Sequence, residues 1–306
     1  MKRGFVGILL GVLLARACPP VFAQIVQQES SIINPTSKAR LWVMVFSPAG
    51  AGADKRCPAV VFIPGGLGFG SGMARTPLPR HLVHAGLVVG LFDPDGRGRS
   101  DGKEDWNGKV HQDGLNAFLR HLAGLEFVDR KNLGVVSSSL GLAMAAGALA
   151  RYPDDPPVKY FIDDEGPSDR FYITKNDEPR FVRILNGHTT KDADWWAERE
   201  AVRWIGAARC AYLRLQHERD HVHGENKQHA IDMIQAATHV KSGGKGQSPW
   251  TRLNGPENAP NTVYTKDRPP KWLPNEAGPR RDGDLLRWIR EMASAPADAH
   301  PPGRPR

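Results

Sequence analysis

A mostly parallel, doubly wound α/β sheet is the fold class this sequence predicts, on three observations. Short runs rich in β-branched and aromatic residues recur along the chain, helical stretches alternate with them, and one strand passes through a serine-bearing turn into an alanine-rich helix. Parallel strands need crossover connections, so an alternation of this kind covers both faces of one sheet with helices.

The strands are expected at 40–46 (RLWVMVF), 59–63 (AVVFI), 87–92 (LVVGLF), 133–136, 158–162, 211–215 (AYLRL) and 250–253 (WTRL). Helices are expected at 74–85, 109–122, 140–151, 224–237 and 283–293. Residues 164–209 interrupt the rhythm and exceed an ordinary strand-to-helix connection. They hold Trp195, Trp196 and Trp204 in a helical pattern and read as a lid insertion after the sixth strand, the tryptophans serving either to pack it or to meet a substrate. There are no internal repeats, and one domain spans 24–294. The Ala-, Pro- and Arg-rich tail at 295–306 is expected to be disordered.

At the start, Lys2 and Arg3 precede an apolar run from Phe5 to Ala15 and small residues ending Val21-Phe22-Ala23, the pattern of a signal peptide cleaved after Ala23. The run is too short for the ~20 residues of a membrane span. A lipoprotein signal is disfavoured because Ala15-Arg16-Ala17-Cys18 lacks the leucine expected three places before the cysteine. The expected location is therefore secreted or periplasmic. Cys57 and Cys210 remain, and they are not expected to pair: two strands separate theirs, about 14 Å at ~4.8 Å per strand. The net charge of +8 comes without a helix-turn-helix, zinc or RNA-binding signature, so it reads as solvated surface charge and no nucleic-acid partner is expected.

Residues 134–150, GVVSSSLGLAMAAGALA, carry the chemistry. A serine lifted out of a strained strand-to-helix turn needs small neighbours two before and two after it, and Ser139 has Ser137 and Gly141. The competing reading is a serine-rich turn capping a buried helix.

Three further segments fall where this elbow requires them, and with them the chain resembles the α/β-hydrolase superfamily, nearest to secreted dienelactone-hydrolase-like or prolyl-oligopeptidase-like esterases, over nearly all of 40–293. Ile63-Pro64-Gly65-Gly66-Leu67-Gly68 occupies the place of the oxyanion-hole loop. The resemblance makes the Gly66 N–H one donor, with Leu67 next, and the Leu140 N–H the other. Asp93-Pro94-Asp95-Gly96-Arg97-Gly98-Arg99-Ser100 resembles the family's D-x-x-G-x-G-x-S structural turn, and lacks the Gly-Lys-Ser/Thr ending of a phosphate loop. Gln216-His217-Glu218-Arg219-Asp220-His221-Val222-His223 resembles the acid loop Q-G-E-x-D-x-V-x-P, which makes Asp220 the triad acid. The alternative for Asp220 is a carboxylate at the start of the following helix.

The family's histidine belongs in the loop after the eighth strand, but residues 254–261 read NGPENAPN. Of the histidines beyond Asp220, only His221 and His223 leave a strand at its carboxyl end, where Ser139 must sit. Either is a candidate base, and a rearranged site would take its acid from Asp163, Asp164 or Glu165, whose other reading is an acidic loop solvated or paired with Arg170. Asp220, His221 and His223 are also of metal-ligand type, but H-x-H spacing alone is weak and no metal is assigned.

The sequence thus predicts a serine hydrolase cleaving an ester or related acyl bond of a small-molecule or carbohydrate-linked substrate through an acyl-enzyme, without a cofactor. Its rivals are an inactive ligand-binding relative that has lost its base, and a compact prolyl-oligopeptidase-like peptidase.

Overall fold

The computed structural model describes residues 24–238, 246–255, 270–275 and 279–294. The expected signal peptide, the tail and most of the histidine-free loop, 256–261, lie outside the described residues.

Eight strands form one sheet: β1 (Ile25–Ile33), β2 (Arg40–Pro48), β3 (Cys57–Ile63), β4 (Val88–Phe92), β5 (Val128–Ser138), β6 (Tyr160–Asp164), β7 (Ala211–Leu215) and β8 (Thr251–Leu253). Their spatial order is β1-β2-β4-β3-β5-β6-β7-β8, with β2 antiparallel to both its neighbours and every other pairing parallel. The predicted parallel sheet is present. β1 is an additional strand with no predicted counterpart, because IVQQESSII lies at the edge with almost all its residues exposed and carries no apolar alternation.

The helices are α1 (Gly70–Met73), α2 (Leu78–His84), α3 (Lys109–Ala123), α4 (Gly141–Arg151), α5 (Arg170–Ile173), α6 (Pro179–Ile184), α7 (Ala193–Trp196), α8 (Ala201–Trp204), α9 (Gln228–Thr238) and α10 (Pro279–Ser294). Successive strand residues point to opposite faces, and each face has its own core. On one, Ala59, Val61, Leu133, Val135, Phe161 and Tyr212 meet α3, α4 and α9. On the other, Val60, Phe62, Val136, Ile162 and Leu213 meet α2 and α10. The helix expected at 74–85 is shorter, α2 beginning only at Leu78 with Pro77 as its N-cap and Pro79 in its first turn. Cys57 and Cys210 are buried free thiols, as the strand separation requires.

Between β6 and β7 the chain folds into α5 to α8 and a 3-10 turn at Ile205–Ala207. Its tryptophans are packing elements. Trp196 is buried with Ile173 and Leu185, and its Nε1 donates to the Thr189 carbonyl at 2.7 Å. Trp195 lies between the His188 ring, 3.9 Å away, and the Arg199 guanidinium, 4.0 Å away. Arg199 also donates to Asp105 at 2.6 Å, which ties this segment to the loop ahead of α3.

Among the described residues no helix is long and apolar enough to cross a membrane.

Candidate active site

The turn from β5 into α4 holds Ser139 at φ 48°, a left-handed conformation that non-glycine residues adopt only under constraint. The constraint is visible on both sides. A Cβ on Gly141 would lie 2.9 Å from the Ile63 and Pro64 carbonyl oxygens, and one on Gly65 would lie 2.8 Å from the Ser139 Cβ. Only glycine fits at these two positions, so the 64–68 loop lies directly against the elbow. Gly66, at φ 59°, lines the same cavity as Ser139 and Leu140.

Sheet pairing brings the next group in. The Ser139 N–H donates to the Asp164 carbonyl at 2.9 Å, and the Glu165 N–H donates to the Leu215 carbonyl at 3.0 Å. The carboxyl ends of β5, β6 and β7 are therefore stitched side by side, with Ser139, Glu165 and Gln216 in neighbouring positions. Glu165 is itself left-handed at φ 55° and buried.

His221 completes the arrangement. Its Nε2 lies 3.0 Å from the Ser139 Oγ, and its Nδ1 lies 2.9 Å from the Glu165 Oε2. Among the described residues it is the imidazole that reaches Ser139. Glu165 Oε1 accepts in addition from the His217 ring at 3.0 Å and from the His217 backbone N–H at 3.3 Å. Burial alone would raise the Glu165 pKa, but hydrogen bonds from His217 and His221 outweigh it and bring it down to about 2.

Two sequence expectations need correction. Asp220, expected on the base, lies 4.0 Å from the His221 Nδ1, outside hydrogen-bond distance, and Glu165 already holds that nitrogen. Its Oδ1 accepts the backbone N–H groups of Val222 and His223 at 2.8 and 2.7 Å. Its Oδ2 accepts from Gln216 at 2.9 Å and faces the His229 Nε2 at 3.3 Å. Burial would raise its pKa, yet His229, the two backbone donors and Gln216 hold it well below the ordinary carboxylate range. Nor does Asp220 open a helix, because α9 begins only at Gln228, after the 221–224 turn that Asp220 braces. His223, the other candidate base, shares the cavity with Ser139, but its ring packs edge-on to Tyr172 and against His229.

Beneath these loops runs a buried polar chain. Arg214 donates to Asp163 at 2.5 Å, to the Gly166 carbonyl, to Gln216 at 2.7 Å and to the His229 Nδ1 at 3.1 Å. Asp163, offered as an alternative acid, is thus committed to Arg214 and to the Tyr212 hydroxyl at 2.9 Å. Asn254, the first residue after β8, pairs with the Gln216 backbone through both its amide oxygen and nitrogen. The start of the loop that lacks a histidine therefore braces the loop that has one.

The 93–100 turn is held from inside. Asp93 accepts from the Ser71 N–H and hydroxyl and from the Arg99 N–H, each at 2.7 Å. The Asp220, His221 and Glu165 side chains come close enough together to hold a cation, but His221 instead spans Glu165 and Ser139 through its two nitrogens.

Beside Ser139 opens a cavity of about 200 Å³ whose far wall is apolar: Ile173, Phe181, Ile184 and Leu185 from the β6–β7 segment, with Val222.

No protein-family model matches the chain, and no curated protein matches it in sequence. Solved structures do match. Against a dipeptidyl peptidase 4 from Porphyromonas gingivalis the TM-score is 0.61 at 16% identity, over 87% of this chain and 35% of that one. Against an esterase from Pyrococcus furiosus it is 0.60 at 14% identity, over 88% and 90%. Against acetyl xylan esterase 1 from a Thermoanaerobacterium species it is 0.59 at 13% identity, over 89% of each chain. The chain spans about a third of the peptidase's length and nearly all of either esterase's. At these identities the likeness establishes the fold.

Proposed function

We propose that this chain, which has the α/β-hydrolase fold, is a serine hydrolase that cleaves an ester or related acyl bond through an acyl-enzyme. The observation that carries the proposal is the continuous chain Ser139 Oγ, His221, Glu165, at 3.0 and 2.9 Å. In it the Ser139 hydroxyl donates to His221 Nε2, and His221 Nδ1–H donates to Glu165. As Ser139 attacks the acyl carbon, its proton passes to His221, and Glu165 stabilises the imidazolium and fixes its tautomer. The Gly66 and Leu140 N–H groups receive the oxyanion, donors worth about 3 kcal/mol each in such sites. His221 then protonates the leaving group, and a water activated by the same imidazole releases the acid.

Relative to the sequence expectation, the acid moves from the end of β7 to the end of β6, while the base is one of the two histidines expected after β7; it is the family's usual layout, with its histidine after β8, from which the base departs. A histidine within reach of Ser139 weighs against the binding-protein reading, whose support was the histidine-free loop after β8. Hydrolysis of an amide is the second reading, favoured by the structural likeness to peptidases. We further propose, from the pattern of residues 1–23, that the enzyme works outside the cytoplasm.

Incubation with a fluorophosphonate and with p-nitrophenyl acetate tests the mechanism. Labelling and an acyl burst that both vanish in Ser139→Ala are expected. A folded wild-type protein that takes up neither reagent would overturn it.

A further inference from the structure

The serine mechanism leaves open what is attached to the carbonyl, and the cavity wall answers it. α6 contributes Phe181 and Ile184, none of its residues is buried, and the Ile184 side chain is half exposed. An apolar helix face left uncovered beside a nucleophile is costly in water unless something apolar covers it during the reaction. Ile173, Leu185 and Val222 extend the same wall.

The titratable groups on the cavity are few. Among the described residues it is lined by no lysine, arginine or aspartate. Glu165 accepts from His217 and His221, which leaves it badly placed to bind an ammonium group. Tyr172 is pushed up to about 12 by burial and nearby carboxylates, and His223 is pulled down to about 4 by burial and His229, so both are neutral at pH 7. Within the lining a charged substituent would meet only Glu165, already engaged; Arg180, whose guanidinium lies 4.6 Å over the Phe181 ring, and Lys175, near enough to depress His223, stand outside it. The volume gives a scale: an apolar cavity of about 150 Å³ holds benzene, and this one, open to solvent along α6, has about 200 Å³.

Resting on the serine-hydrolase reading, we infer that the preferred substrates are esters of uncharged, apolar carboxylic acids with an acyl group of roughly six to eight carbons. Acetyl esters and aminoacyl or peptidyl substrates with a free amino group are not its substrates of choice.

The test is kcat/KM across p-nitrophenyl acetate, butyrate, hexanoate, octanoate and laurate, beside an alanine p-nitrophenyl ester with its amino group free or acylated. Each methylene that enters the cavity is worth up to about fourfold, so hexanoate or octanoate should exceed acetate at least tenfold and laurate should fall back. Ile184→Asp, a change at an exposed side chain that the fold tolerates, should lower the hexanoate-to-acetate ratio at least tenfold. Phe181→Ala, which opens the wall, should move the optimum toward laurate. Fluorophosphonate labelling of Ser139 reports the underlying mechanism separately. A labelled enzyme that prefers acetate, that prefers the free-amine ester, or whose ratio ignores Ile184→Asp overturns the substrate assignment and leaves the serine hydrolase standing. Absence of labelling in folded protein overturns both.

Discussion

Glu165 and Asp220 are two buried carboxylates at the carboxyl ends of neighbouring strands, each surrounded by histidines, yet they do different work. Glu165 turns one oxygen to His221 and braces the other on His217. Asp220 spends its lone pairs on Gln216, His229 and the backbone of the very turn that carries His221. The first carboxylate touches His221, the proposed base, and the second holds the loop from which His221 projects. Burial and a depressed pKa are common to both, so neither property identifies a catalytic acid. What separates them is which acceptor oxygen the imidazole reaches.

The most direct way to break the comparison is to remove the imidazole both carboxylates serve. His221→Ala should lower kcat/KM for p-nitrophenyl hexanoate by about 10⁴-fold or more, since a serine hydroxyl without its base is a poor nucleophile. A hydrolase that survives this change would refute the proposed base.

Glu165→Gln should cost somewhat less, about 10³–10⁴-fold in kcat, with KM little altered. The amide cannot accept from both His217 and His221, so the tautomer and orientation of His221 are lost. The same variant sharpens the pH argument. Hydrogen bonds from His217 and His221 bring the Glu165 carboxyl down from its ordinary 4.5 to about 2. Its ionisation therefore contributes stability that is present above about pH 4.5 and lost as pH falls toward 2, on the order of 3 kcal/mol. Acid unfolding followed by circular dichroism should be shallower across that window in Glu165→Gln.

Asp220→Asn should fall between ten- and a hundredfold in kcat, through misplacement of His221 rather than loss of its partner. It should also lower thermal stability by about 2 kcal/mol, because a neutral amide makes poorer bonds to the Val222 and His223 N–H groups. If Asp220→Asn cost more activity than Glu165→Gln, the two roles would have to be exchanged.

The elbow and the glycine loop that faces it were legible from sequence because their geometry selects residue types: Gly65 and Gly141 have no room for a Cβ. The central strands were legible because both their faces are buried, so runs such as AVVFI and LVVGLF are apolar throughout. The acid was not. The pattern around Asp220 resembles a familiar acid loop, and Glu165 stood only among the alternatives because nothing local distinguishes a carboxylate aimed at an imidazole from one aimed at an arginine. Chain topology did narrow the candidates for the base to two histidines, His221 and His223, which leave the same strand end two residues apart, and the first is the one now proposed. Choosing between them required the turn that Asp220 closes, a contact invisible in one dimension.

His223 supplies the smallest effect and separates those two histidines. Its ring sits against Tyr172 and His229, where burial and the neighbouring imidazole depress its pKa from 6.5 to about 4. Unfolded chains therefore take up a proton near pH 6.5 that the folded protein refuses until about pH 4, so stability falls as pH drops through that interval. His223→Phe keeps a ring in the packing and removes the titration. Urea unfolding at pH 7 and pH 5 should show a smaller difference in the variant than in the wild type, by on the order of 1 kcal/mol. Because its ring lines the cavity without reaching Ser139, the change should alter kcat/KM by less than roughly tenfold. A loss comparable to that of His221→Ala would instead place His223 on the proton path and return the choice of base to the pair.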